Sequence, residues 1–483
     1  MNKILQISCL AVLGTATLFG QDYKAPNMAF QDSSFNYVAF SNEDLPTTQW
    51  ADSAETDWYN GSEDTFTLST PQQLAGLSLL VAQGNSMVGK TIELSGDIQL
   101  SGNLWTPIGV NNNNPFSGVF NGNNFTVHNM VVNRPGEDFL GLFGQTNAAT
   151  IRNVRMTNAI VQGADTAGTV VGNLYNDGLL ENCHSTGHSV LITGYNAGGM
   201  LGGALTNSVV NRCSAEGSVV GVNQIGGFVG TLWDKTEVHE SYSAGTVSGE
   251  YIIGGFAGFS TMAFGPDREN KVFNSYSRSN VFATMFRAGG FFGSPEYMSE
   301  IHNCYSTGTV SQVEDAGAFV GSTETALIEN SYYDSDLNSF PAIGNQEAGA
   351  SPFDVTGLPT AEMTTANFAD MLNVDTENIV WFYHPEVNDG YPNLNLQEQM
   401  SVSDVAVASK IGIYPSIVQD QFIIKAENDG LKYQIFDVNG KLVRHGITHS
   451  TEHVVHAHGL ATGVYFVRVI QDNHAQSIKI IKK

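Results

Sequence analysis

A short block of glycine and hydrophobic residues recurs seven times along the middle of the chain. Within each block the hydrophobic residues follow a period of two, which is typical of β-strands. One such unit cannot bury its own apolar face, so the pattern predicts coils that stack into a parallel β-helix. The last glycines of successive blocks are spaced by 28, 30, 28, 28, 35 and 28 residues; they are Gly144, Gly172, Gly202, Gly230, Gly258, Gly293 and Gly321.

A second block follows each glycine block and starts with an aliphatic residue in all seven copies, for example Ile301. If each strand stays regular, Asn303 and Tyr305 share the inward face with Ile301. The asparagine found in five copies would then lie inside, at or near a turn, with bonds to backbone or other amides; these residues are Asn153, Asn182, Asn274, Asn303 and Asn330. By the same rule Cys183 and Cys213 would lie one coil apart on the outer face, as free thiols rather than a disulfide.

Two aromatic columns accompany the repeats. Tyr242, Tyr276, Tyr305 and Tyr332 could form a sugar-binding platform if they were exposed. Their alignment with the aliphatic residues instead favours a ladder in the core. Phe228, Phe256, Phe291 and Phe319 are expected to pack in the core.

The ends of such a rod expose strand edges that need covers. Thr70 as N-cap, Pro71 in the first turn and Gly84 as a stop predict a short capping helix. A second helix over residues 359–372 and the segment 381–394 are expected to close the other end.

The predicted fold is all-β: a right-handed parallel β-helix with short capping helices, followed by a small C-terminal β-sandwich. The expected boundaries are a signal peptide at 1–20, a linker at 21–54, a cap and first coils at 55–140, the repeat β-helix at 141–335, a C-terminal cap at 336–396, a linker at 397–410 and the last domain at 411–483.

Composition narrows the cellular setting. The formal net charge is −26, which argues against nucleic acid or an anionic membrane as a partner. A basic start at Lys3 and an apolar stretch over 4–19 predict a cleaved signal peptide, and no later stretch is expected to span a membrane. Beyond Cys9 in that peptide, Cys183, Cys213 and Cys304 remain, and an odd number is not a disulfide framework.

The repeats resemble those of GLUG-motif proteins over about residues 55–395. The likeness rests on the glycine blocks, the Ile301-His-Asn-Cys-Tyr305 type of block, Trp105-Thr-Pro-Ile-Gly109 and Gly390-Tyr-Pro392. The resemblance implies a secreted or surface protein. Some members are immunoglobulin-cleaving metallopeptidases whose catalytic zinc domain lies apart from the repeats. This sequence has no His-Glu-x-x-His, so that activity does not carry over.

The tail differs in charge from the rest. Residues 401–483 carry nine Lys or Arg and seven Asp or Glu, a net of +2, so the remainder carries −28. The tail resembles the C-terminal sorting domain of the type IX secretion system of Bacteroidota. The matching residues include Tyr414, Pro415, Asn439, Gly440, Gly463, Tyr465 and Lys482. The family's Asn-Pro after Tyr-Pro is replaced here by Ser416-Ile417. The resemblance implies the secretion machinery as a partner, passage across the outer membrane, removal of the domain, and release or anchoring at the surface.

Several residues invite a chemical role. His453, His456 and His458 have spacing typical of metal ligands, but a solvated strand and loop is favoured, and no metal or cofactor is expected. The one overlong repeat carries an insertion expected to form an outward loop, with Phe264, Asp267, Arg268 and Glu269 as candidate binding residues. Asp234, Glu237 and Glu240 cluster in one coil and are the candidate catalytic carboxylates of a carbohydrate-active enzyme.

Three functions follow from this pattern. The favoured one is a non-enzymatic adhesin or a glycan- or matrix-binding rod, secreted or attached to the outer surface. The alternatives are a β-helix polysaccharide hydrolase or lyase, and a passive structural surface protein.

Overall fold

The chain forms two units, Met1–Leu394 and Asn395–Lys483. The computed structural model describes residues 45–262, 267–296, 299–346, 353–374, 376 and 379–394 of the first unit, and 412–414, 417–425, 431–437, 442–448, 450–471 and 474–483 of the second. The predicted signal peptide lies outside these residues. The first unit is a parallel β-solenoid of about nine turns, which confirms the predicted architecture.

Face A of the solenoid is a ten-stranded parallel sheet with one short strand per coil. The central residue of each strand pairs with that of the next coil, as Val272 does with Val238 and Ile301. This confirms the buried aliphatic column predicted from the repeats. The strands are Thr65–Leu68, Thr91–Leu94, Val119–Asn121, Thr150–Arg152, Leu179–Glu181, Val209–Asn211, Glu237–His239, Lys271–Phe273, Glu300–His302 and Leu327–Glu329.

Face B contains fifteen strands because several coils carry two in succession. Its main path is Ile98–Gln99, Thr126–His128, Arg155–Thr157, His184–Ile192, Ser214–Val220, Tyr242–Gly254, Tyr276–Gly289, Tyr305–Ser306, Ser331–Asp334 and Val355–Leu358. Further strands are Val131–Asn133, Ile160–Gly163, Tyr195–Gly198, Asn223–Gly226 and Glu314–Gly317.

Face C is an eight-stranded parallel sheet that closes each coil. Its strands are Phe143–Gln145, Val171–Tyr175, Leu201–Leu205, Val229–Trp233, Ala257–Thr261, Phe292–Pro295, Val320–Thr323 and Ile343–Gln346. The phenylalanine column lies just before these strands, and its rings stack with centroids 4.8, 4.9 and 5.0 Å apart. The four rings are fully buried, as predicted.

The asparagines of the second block make the corner between faces A and B. All five adopt a left-handed backbone, with φ between 44° and 54°. Their side chains are half-buried and bond from coil to coil: Asn182 Nδ2 donates to Asn153 Oδ1 at 2.8 Å, and Asn330 Nδ2 donates to Asn303 Oδ1 at 2.6 Å. The predicted turn and amide bonds are confirmed, but the asparagines lie at the corner and not inside the core, because the strand turns at this residue.

The same corner reverses the predicted direction of the residues that follow it. Cys183, Cys213 and Cys304 are fully buried free thiols in the solenoid core, not on its outer face. The Cys183 amide N–H lies 3.4 Å from Cys213 Sγ, in the next coil. Burial raises the pKa of Cys304 well above that of an ordinary thiol.

Glycines at the start of face C permit close contact between backbones. A Cβ atom on Gly230 would lie 2.6 Å from the Asn196 carbonyl carbon and 2.6 Å from the Gly202 oxygen. A Cβ on Gly258 would lie 2.5 Å from the carbonyl carbon of Gln224. Because these neighbours are backbone atoms, they cannot move aside as a flexible side chain can.

The predicted N-terminal helix is observed as Pro71–Ala82, and Thr70 Oγ1 accepts a bond from Gln73 N at 3.2 Å. A 3₁₀ helix, Trp50–Ser53, precedes it. At the other end, the single predicted helix is observed as two, Thr360–Met363 and Ala366–Leu372, because the Thr365 hydroxyl accepts a bond from Phe368 N and caps a new helix that begins at Ala366. A two-stranded antiparallel pair, Trp381–Phe382 and Asn393–Leu394, and a 3₁₀ turn, Asn388–Gly390, follow.

The second unit consists of two small sheets. One contains Gly412–Tyr414, Gln421–Lys425 and Glu452–His456; the other contains Ile417–Val418, Leu431–Asp437, Leu442–Thr448, Gly463–Gln471 and His474–Lys482. Buried residues of both sheets, such as Phe422 and Val467, form one apolar cluster. All strand pairs but one are antiparallel, as expected for a small sandwich.

Replacing Gly230 with alanine should destabilise the solenoid by about 1–3 kcal/mol, since the added methyl group overpacks a backbone contact. The matched control is Gly96→Ala, because a Cβ there meets nothing within 4 Å. This control should change stability by no more than about 0.5 kcal/mol. Denaturant unfolding compares the two, and equal midpoints would contradict the close-approach argument.

His188 should make the solenoid sensitive to acid. It is 3% exposed, and burial lowers its pKa to about 4 from an ordinary value of 6.5. Between these pH values the unfolded chain binds a proton at His188 and the folded chain does not. The free energy of unfolding therefore falls by about 3 kcal/mol as the pH drops from about 6.5 to about 4. Unfolding measured across this range should lose that slope in His188→Gln and keep it in His384→Gln, where the histidine is exposed.

Candidate binding surface

The insertion in the overlong repeat closes back on the solenoid. The Arg268 guanidinium forms a two-point ion pair with Asp234, whose side chain is almost fully buried in the preceding coil. Together they border a cavity of about 340 Å³, lined also by Thr206, Asn207, Lys235 and Asp267. The structure thus brings Asp234, a candidate catalytic residue, beside Asp267 and Arg268, two candidate binding residues.

The remaining carboxylates of that coil lie elsewhere. Glu237 is on the outer side of face A, with Oε2 3.1 Å from His239 Nε2, and Glu240 lies at the asparagine corner with a left-handed backbone. Neither lines the cavity, and nor does Glu269. Phe264 lies outside the described residues. The three predicted catalytic carboxylates therefore do not lie together, and the Asp234 carboxylate is already ion-paired with Arg268.

Other charged side chains on face A are likewise paired between neighbouring coils. Arg212 contacts Glu181 at 2.7 Å, Lys271 contacts Glu300 at 3.4 Å, and His302 contacts Glu329 at 3.1 Å. These pairs join neighbouring coils.

The tyrosine column lies outside the solenoid, where Tyr276, Tyr305 and Tyr332 are buried and Tyr242 is half-buried. Tyr305 is fully buried and stacks on Tyr276 with ring centroids 4.9 Å apart. Side chains alternate along a strand, and the next residue, Ser306, points inwards, where its Oγ donates to Ala318 O at 3.0 Å. The prediction of a buried ladder is right, but its placement beside the aliphatic column is wrong, because the asparagine corner reverses the alternation.

The C-terminal segment 360–394 covers this column. The Tyr305 ring centroid lies 5.4 Å from that of Trp381 and 5.7 Å from that of Phe368. The Tyr305 hydroxyl donates to Pro392 O at 2.5 Å and accepts from Asn388 Nδ2 at 3.0 Å. The segment was expected to close the end of the rod; it lies against the flank of the last coils instead.

An ion pair also holds the segment 360–394 against face B. The Arg278 guanidinium donates to Asn388 Oδ1 at 2.7 Å and also bonds the carboxylate of Asp389. This contact holds the pKa of Asp389 below its ordinary value. The segment thereby removes Tyr276, Tyr305 and Tyr332 from the surface that a ligand could reach.

A different set of aromatic residues does reach the surface. In successive coils of face B, five residues pair directly: Tyr195, Asn223, Tyr251, Phe286 and Glu314. We call this set the axial column. Tyr195 is 51% exposed, Tyr251 and Phe286 are half-buried with ring centroids 4.9 Å apart, and Glu314 is exposed.

Sequence reasoning did not identify the axial column. Its members share no residue type, so they do not stand out as a repeat, unlike the tyrosines or phenylalanines. A signal was available in their position, because each lies two residues before an aligned inward residue such as Ala197, Ile253 or Ala288.

The proposed sorting residues lie within the second unit where they are described. Gly463 begins a central strand, Lys482 pairs with it, and the buried Tyr465 hydroxyl donates to Ala461 O at 2.9 Å. The strand Gly412–Tyr414 pairs with Gln421–Lys425. Pro415, Asn439 and Gly440 lie outside the described residues.

Comparison with known families identifies this unit. Residues 412–483 match the family described as "Secretion system C-terminal sorting domain". The tail is a type IX secretion sorting domain. This sorting domain marks the chain for export by the type IX machinery, and the protein is secreted or attached to the outer surface of the cell.

Two curated proteins resemble part of the chain. Halomucin of Haloquadratum walsbyi is 32% identical over 164 residues, which cover 31% of this chain and 2% of halomucin. A putative Gly-rich membrane protein of Evansella cellulosilytica is 29% identical over 125 residues, covering 25% of this chain and 14% of that protein. The chain thus matches only a small fraction of either relative's length.

Two further observations concern the described residues alone. None of their helices has the length and apolar character needed to cross a membrane. They also bring no three His, Cys, Asp or Glu side chains together as potential metal ligands. Of the three tail histidines with metal-ligand spacing, His456 and His458 are exposed with ring centroids 6.1 Å apart, and the His453 ring centroid lies 5.5 Å from that of Tyr433.

Removing the Tyr305 hydroxyl should loosen the C-terminal segment. Tyr305→Phe leaves the Pro392 carbonyl and the Asn388 amide without one bond each, at a cost of about 1–3 kcal/mol. Tyr242→Phe is the matched control, because its half-buried hydroxyl bonds the side chain of Glu216. Proteolysis of residues 360–394 should be faster in Tyr305→Phe, and equal rates would disprove this role for the hydroxyl.

Proposed function

We propose that this protein is a non-enzymatic adhesin of the cell surface, a rod that binds glycans or extracellular matrix. The observation that carries the proposal is the axial column, where aromatic rings reach the surface of face B. Exposed ring faces can pack against the apolar face of a sugar, while neighbouring polar groups bond its hydroxyls. Export by the sorting domain places such a surface outside the cell.

The repeats and their cellular setting belong to the same proposal. Their pattern supports assignment to the GLUG-motif proteins, a source among Bacteroidota, and a cleaved signal peptide over residues 1–20. Each of these rests on sequence resemblance or on the composition of the N-terminus.

An enzyme would have to use the cavity beside Asp234. Glycoside hydrolysis ordinarily uses a second carboxylate that faces the first across the bound sugar. Here Asp234 is bonded by Arg268, and Glu237 lies beside His239. No contact in the cavity favours hydrolysis over binding, so the binding function is preferred. The alternative that the binding experiment must exclude is a passive structural protein.

The binding function predicts retention of purified protein on a glycan array, on matrix or on whole cells. Tyr195→Ala combined with Tyr251→Ala should weaken that retention by about ten-fold or more, as expected from the loss of two ring contacts of about 1 kcal/mol each. Tyr383→Ala, at another exposed aromatic residue, should not change it. No retention on any surface would favour the passive structural protein.

A further inference from the structure

We infer that the axial column holds an uncharged, extended glycan chain that runs parallel to the solenoid axis, with one binding position per coil. This inference rests on the proposed binding function and specifies its ligand. A chain lying across the axis would meet a single coil and at most one exposed ring.

The register of the coils supports this direction. Tyr195 pairs with Asn223, Asn223 with Tyr251, Tyr251 with Phe286, and Phe286 with Glu314. Neighbouring strands are about 4.8 Å apart, so the five residues span about 19 Å along the axis. One coil therefore advances by a distance comparable to one pyranose unit in an extended chain. A periodic surface of this kind matches a periodic polymer.

The side chains offer the contacts that a sugar chain needs. The exposed Tyr195 ring supplies an apolar face, and the half-buried Tyr251 and Phe286 rings, which meet edge to face, add apolar surface beside it. Between Tyr195 and Tyr251, the Asn223 Oδ1 is recessed and accepts no hydrogen bond from the described residues. A buried amide oxygen without a partner is uncommon, and rotation of the half-buried Asn223 side chain would bring it to a donor hydroxyl on a bound chain.

The charges around the column favour a neutral chain. Glu314 ends the column and is exposed, and Glu250 precedes Tyr251. The nearby Arg287 guanidinium lies 5.8 Å from the Phe286 ring centroid and is already paired with Glu296 at 3.6 Å. Outside the tail the chain carries a net charge of −28. A polymer of uronic acids or sulfated sugars would be repelled here.

The test is calorimetry of the full mature chain with neutral β-linked gluco-, manno- and xylo-oligosaccharides, from the disaccharide to the hexasaccharide. At least one series should bind more tightly with each added unit up to about the pentasaccharide, the length of the column, and then level off. Oligogalacturonates of matched length should bind more weakly.

Variants test whether this length dependence arises from the axial column. Tyr251→Ala should weaken binding of the longest oligosaccharide by about five-fold, as expected from the loss of one ring contact of about 1 kcal/mol, and Tyr383→Ala should leave it unchanged. Tyr195→Ala removes the exposed ring at one end of the column, so this variant should fold normally. Its affinity should stop rising at a shorter oligosaccharide than that of the unaltered protein. Thermal unfolding of each variant checks the fold.

Each contrary result has a separate meaning. If cells or matrix are bound but no neutral series shows length dependence, the axial glycan is wrong and the adhesin survives. The same holds if the axial-column variants change nothing, if oligogalacturonates bind more tightly, or if the column proves to bind a protein. If the intact chain binds no glycan, matrix or cell, both proposals fail.

Discussion

Backbone hydrogen bonding between successive coils is the constraint on which the structure depends. Because each face pairs one coil with the next in fixed register, a residue type at one position becomes a column along the rod. The buried aliphatic column of face A, the stacked phenylalanines and the asparagine ladder are all products of this single rule. It also explains why an isolated repeat has no stable core.

Much of the solenoid could be predicted because the buried positions recur at a regular spacing along the sequence. The aliphatic residues such as Val238 and Ile301 recur at one spacing, and their position inside follows from their chemistry alone. The helix Pro71–Ala82 could be located because Thr70 and Pro71 are local signals that tertiary packing does not override. The tail could be recognised from motifs that span its central strands.

The predicted alternation of inward and outward side chains was wrong where the chain passes through the asparagine corner. The asparagines adopt a left-handed backbone at little cost, because their short polar side chains bond locally. Each one therefore ends a strand, and the cysteine and tyrosine beyond it exchange faces. The burial of Tyr305 could not be attributed correctly, since it depends on Trp381 and Phe368 from a segment distant in sequence. Of the candidate site, Asp234, Asp267 and Arg268 were foreseen separately; their contact and the axial column required the folded register.

The 28-residue spacing that separates most glycine blocks has an evolutionary consequence. Since every coil meets its neighbours through the same backbone bonds, duplication or loss of one repeat adds or removes a layer without requiring a new fold. Each such event changes the rod by about 4.8 Å. Unequal recombination within the gene can thus alter reach and valency in equal steps, while the two ends of the solenoid and the export tail stay the same.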